Sequence, residues 1–130
     1  MTSWQLQITT RVDGRETVTE RMGEVEIDGS SVKIGYAEES AFVIVTVEKE
    51  KALINRNGDY GLFLQFSEGE RTDGSISISG SEGALSVKTD KVRCLIKEGG
   101  ASILLLLEYT IDFGAELQKM QLRLLGNKRK

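Results

Sequence analysis

Histidine and proline are absent from this chain, and cysteine occurs once, at Cys94. Without histidine the chain lacks the commonest general base, the commonest metal ligand and the usual proximal haem ligand. A Ser-His-Asp triad and a Cys-His pair are therefore excluded. A single cysteine excludes an intrachain disulfide and fits a reducing compartment. Glycine fingerprints that cradle phosphates are missing as well. The most apolar run, ILLLL at 103–107, falls far short of the roughly 20 residues of a spanning helix. The opening MTSWQLQITTRVDG has no apolar core of the signal-peptide kind. These absences predict a cytoplasmic protein that is not an enzyme, with no catalytic residues, no cofactor, no metal site and no membrane association.

Charge excludes another class. The formal net charge is −3 over 130 residues, so no global attraction to nucleic acid is expected. The one basic cluster is NKRK at 127–130, expected as a solvated, disordered tail on a single domain spanning 1–126.

Fourteen glycines supply the punctuation. Asp13-Gly14, Asp28-Gly29, Asn57-Gly58 and Gly99-Gly100 are hairpin signals, because these residues tolerate the positive φ of tight turns. Between them, segments alternate with period two: Trp4, Leu6, Ile8; Val32, Ile34, Tyr36; Val43, Val45, Val47; Tyr60, Leu62, Leu64, Phe66. In TERMGEVEI the apolar parity moves from Val18 and Met22 to Val25 and Ile27, which predicts a bulge at Gly23. Many short strands joined by tight turns predict an all-β fold, a single antiparallel up-and-down barrel. The segment AELQKMQLRLL (115–125) is ambiguous: Leu117, Met120 and Leu124 would line a helix, whereas Met120, Leu122 and Leu124 alternate as a strand. Propensity slightly prefers the helix.

The chain resembles the YwiB-like family of small bacterial proteins of unknown function. The resemblance is carried by KIGYAEES (33–40), VTVEKEKALINRNG (45–58), LFLQFSEGE (62–70), SEGALSVKT (81–89) and GGASILLLLEYTIDF (99–113), in that order. It implies a calycin-like, lipocalin-related barrel of about eight to ten strands, with 115–125 as the closing strand. Such barrels can hold a small ligand, so the resemblance leaves two expectations. One is a binding module for a small, largely apolar ligand in the lumen. The other is a filled barrel that acts through protein interaction.

Particular residues sharpen both. Tyr36, Tyr60 and Tyr109 share faces with apolar neighbours, so their hydroxyls can orient a ligand inside the barrel. Arg56 among them would suit a carboxylate, with Glu38 and Glu108 as polar groups at the rim. Glu24, Glu26 and Asp28 fall at strand spacing on a solvated outer face rather than in a metal site. Cys94 shares the parity of Val92 and Ile96, as a small core residue does. Ile103, Leu105, Leu107, Tyr109, Ile111 and Phe113 form one inward stripe, which leaves Leu104 and Leu106 pointing outward. Phe42 and Ile44 do the same in AFVIVTV, and the four are expected to join in one apolar patch for a homodimer or a protein partner.

Overall fold

In the computed structural model, which describes residues 3–129, ten antiparallel strands close a barrel. They are β1 (Trp4–Val12), β2 (Arg15–Asp28), β3 (Ser31–Glu38), β4 (Ala41–Glu48), β5 (Lys51–Gly58), β6 (Tyr60–Ser67), β7 (Arg71–Ile78), β8 (Ser81–Lys97), β9 (Ser102–Asp112) and β10 (Leu117–Lys128). Each pairs with its neighbour in sequence, and β1 pairs with β10 to seal the ring. A meander whose turns are one to four residues long can hardly do otherwise, since tight turns force adjacent strands together. Closure leaves no sheet edge running the full height of the wall.

The ambiguous segment is strand. Met120, Leu122 and Leu124 pair with Tyr109, Leu107 and Leu105, and the lumen takes up their alternation. Burial of an alternating face outweighs a helix propensity of a few tenths of a kcal/mol per residue. β10 also continues through Asn127 and Lys128, opposite Gln5 and Trp4, and the Arg129 amide donates to the Ser3 carbonyl at 2.9 Å. The expected disordered tail is thus part of the closing seam as far as Arg129; Lys130 lies outside the described residues.

Two glycine expectations are corrected. Gly23 is not a bulge: β2 pairs with β1 from Arg15 to Gly23 and with β3 from Gly23 to Asp28, without a slip. Both neighbours crowd this residue, and a Cβ there would lie 2.5 Å from the Gly35 carbonyl oxygen and 2.7 Å from Leu6 Cδ1. The inward parity of β2 is therefore odd throughout, and Val18 and Met22 are exposed at 55% and 52%. The register shift lies in β8 instead, between Thr89 and Lys91. Likewise Asn57-Gly58 is not a turn but the end of β5, whereas Asp13 and Gly14 do turn with φ of 49° and 87°. Gly58 is required by close approach: a Cβ would sit 2.0 Å from the Ser40 carbonyl oxygen. Gly58→Ala is expected to cost about 1–3 kcal/mol, the usual range for forced overpacking. Urea unfolding checks this as a lowered midpoint at unchanged slope.

The lumen is the core. Val32, Ile34, Val45, Leu64, Phe66, Leu105, Leu107 and Leu124 are at most 2% exposed. Ten strands make a wider ring than eight, and large side chains fill it. Phe66 meets Tyr109 edge-on, with ring centroids 4.6 Å apart. Trp4 is 3% exposed and closes one end; parity places Arg123 outside, beside Leu106. The inward stripe of β9 runs from Ile103 to Ile111, while Phe113 lies past the strand end and is exposed. No helix among the described residues is long and apolar enough to cross a membrane.

The expected single outer patch is two. In the ring β4 and β9 stand five places apart in either direction, so Phe42 and Ile44 face away from Leu104 and Leu106. Parity put each pair outside; the strand count separates them.

Candidate functional site

At the end of the barrel opposite Trp4, the inward side chains change from aliphatic to polar. A hollow of about 220 Å³ opens there. Ile8, Val43, Ile54, Leu62 and Leu122 form its apolar wall, and Thr10, Thr19, Arg21, Tyr36, Glu38, Arg56, Tyr60 and Tyr109 supply its polar groups. The residues come from β1 to β6, β9 and β10, so eight of the ten strands position them.

Tyr36, Glu38, Arg56, Tyr60 and Tyr109, singled out from the sequence, meet at this mouth. Arg56 is 12% exposed and held on every side. Its Nε donates to Glu38 Oε1 at 3.0 Å, its Nη1 to the Tyr60 carbonyl at 2.8 Å, and its Nη2 lies 2.8 Å from Asp59 Oδ1. The guanidinium also sits 3.7 Å over the Tyr60 ring, a cation–π contact that fixes both side chains. Burial alone would lower the Arg56 pKa, but the bonds to Asp59 and Glu38 outweigh it and raise it. Asp59 is held below the ordinary carboxylate value by the Arg56 hydrogen bond. Each nitrogen of Arg56 thus has a protein partner, and the residue organises the mouth.

The sequence reading missed Arg21. It projects into the same hollow from the odd parity of β2, its Nε buried and, among the described residues, without a hydrogen-bond partner. Among the described residues its side chain makes one hydrogen bond, from Nη1 to the Glu20 carbonyl, and that is long at 3.5 Å. Beside it the wall is open, since β2 meets β3 only from Gly23 onward. The signal was present: Val25 and Ile27 share Arg21's parity, and an unbroken strand carries that face back to Arg21 and Thr19. The apolar residues Val18 and Met22 obscured it.

Glu108 is not at this rim. It lies on the opposite parity from Tyr109, takes a 3.3 Å hydrogen bond from Gln121 Nε2, and lines a separate hollow with Arg11, Asp90 and Lys119. That hollow is larger, about 330 Å³, but among the described residues it holds no unpartnered buried group. Cys94 is half-buried, and burial pushes its thiol pKa up, away from the thiolate that reacts.

Burial, then the neighbouring Glu38 carboxylate, push the Tyr36 pKa up to about 12, with Arg21 and Arg56 pulling the other way. Tyr109 is raised as well, by burial first and by Tyr36 second. Both hydroxyls stay protonated as donors far into the alkaline range. The unfolded chain releases these protons near pH 10 and the folded one later, so stability is retained below pH 10 and lost as pH rises towards 12. For Tyr36 the loss amounts to roughly 2 kcal/mol at the top of that window. Tyrosinate absorbance of the folded protein is expected to reveal two late-titrating groups, and Tyr36→Phe to remove one.

A family model described as a domain of unknown function, DUF1934, matches residues 4–124. No curated protein matches the chain. Among solved structures, the crystal structure of the YwiB protein from Bacillus subtilis superposes with a TM-score of 0.83 at 19% identity. The match covers 99% of this chain and 93% of that one, and the likeness is one of fold.

Proposed function

We propose that this chain, which belongs to the DUF1934 family, is a binding module, not an enzyme, and takes a small carboxylate-bearing ligand at the barrel mouth. One observation carries the reading: Arg21 keeps a buried, unpartnered Nε in a hollow where the other guanidinium is already paired. An unsatisfied buried donor costs about 1–3 kcal/mol, a cost that a bound carboxylate would remove. The planar fork of arginine suits a carboxylate, and the protonated Tyr36 and Tyr109 can add hydrogen bonds.

Size narrows the class. About 220 Å³ lies below the usual range for drug-sized ligands, roughly 300–1,000 Å³. A short aliphatic or single-ring acid fits, its body against Ile8, Val43 and Leu122 and its carboxylate on Arg21. This moves the small, largely apolar ligand expected in the lumen to the mouth, because Phe66 and the leucines fill the space deeper in the barrel. The single cysteine suits action in the cytoplasm.

Native mass spectrometry of protein purified gently from cells tests the reading. A homogeneous acidic adduct of small mass, absent in Arg21→Leu, is the expected result. A bare mass, with no binding of short carboxylates added back, would overturn it.

A further inference from the structure

The two outer apolar faces carry opposite charge. On the first, cross-strand rows place Leu95, Leu104 and Leu125 side by side, and set Leu106 between Arg93 and Arg123. Leu95 is 50% and Leu125 36% exposed. On the second, Phe42 is 48% and Phe63 36% exposed. There Glu24, Glu26, Lys33, Gly35, Phe42 and Ile44 line a shallow hollow of about 160 Å³. The Phe42 ring lies over Gly35, whose missing side chain leaves room for it: a Cβ would come within 3.3 Å of Phe42 Cζ.

Arg93 is paired with Glu68, but Arg123 on the first face and the two carboxylates on the second are unspent. Among the described residues, neither Arg123 nor Glu24 nor Glu26 takes part in an ion pair. An arginine stem against Ile44, with its guanidinium between two carboxylates and on the Phe42 ring, would satisfy the hollow. One ammonium, Lys33, leaves the two carboxylates in excess.

We infer that the partner for each face is the other face of a second copy of this chain, the leucine face of one molecule docking on the phenylalanine face of the next with Arg123 seated between Glu24 and Glu26. Because β4 and β9 lie on opposite sides of the ring, this contact is heterologous. Copies add end to end rather than stopping at a symmetric pair.

Sedimentation velocity of the wild-type chain over a concentration series is the first test. The expected result is an average mass that climbs past the dimer and falls as salt rises. Two variants then separate the faces without touching the lumen: Leu104→Glu on the leucine face and Phe42→Lys on the phenylalanine face. Each alone is expected to be monomeric, with unchanged far-ultraviolet circular dichroism, and an equimolar mixture to form dimers and nothing longer. A wild-type chain that stays monomeric at every concentration overturns the inference. So does one that stops at a dimer abolished by Leu104→Glu alone, because that contact would be isologous.

Discussion

Phe66→Ala is expected to destabilise the barrel by about 3–5 kcal/mol, the range for removing a buried aromatic from a close-packed interior. Folded domains of this size are stable by only about 5–15 kcal/mol in total, so thermal unfolding should fall by on the order of 10 °C. Phe66 is 2% exposed and meets Tyr109 edge-on. Its loss opens a cavity beneath the mouth and weakens the burial that raises the Tyr109 pKa. A second signature therefore accompanies the first: one of the two late tyrosine titrations moves down. Phe63 provides the contrast. Three residues away and on the outer face, it is 36% exposed, and Phe63→Ala should cost less than about 1 kcal/mol. Two phenylalanines in one strand, with costs differing severalfold, report directly which face is the core.

Arg21→Met should move binding and stability in opposite directions. Removing the guanidinium takes away a charge-assisted hydrogen bond worth about 1.5–3 kcal/mol, so affinity for a short carboxylate falls roughly tenfold to a hundredfold. The same substitution relieves the buried Nε that no protein group satisfies. The ligand-free protein should then gain on the order of 1 kcal/mol, measured as a raised urea midpoint. Arg56→Met should lose stability instead, because its nitrogens bond Glu38, Asp59 and the Tyr60 carbonyl. A residue retained at a cost to folding is what a binding site requires, and the opposite signs at Arg21 and Arg56 separate the ligand group from its scaffold.

Much of this architecture was legible in the sequence because strand parity is a local property. The inward stripe of β9, the outward Leu104 and Leu106, and the shared face of Tyr36, Tyr60 and Tyr109 all follow from period-two alternation. What failed was non-local. Gly23 and Gly58 looked like a bulge and a turn, yet each is a glycine because a neighbouring strand crowds it. Arg21 was hidden by Val18 and Met22, apolar side chains that the mouth end of β2 leaves in water. The closing strand carried helix propensity that only its lumenal partners override. The two outer patches could not be told apart until the ring was known to hold ten strands, which sets β4 opposite β9.

A carboxylate received by Arg21 is reported most directly by that residue's own Nε–H. With nitrogen-15 labelling, the arginine Nε–H resonances are followed while short aliphatic and single-ring carboxylates are added, with the matching alcohols as controls. The Arg21 resonance is expected to shift saturably with at least one acid and with none of the alcohols, while Arg56, already bonded to Glu38, moves little. An Arg21 resonance indifferent to every acid, or one that responds equally to the alcohols, would contradict it.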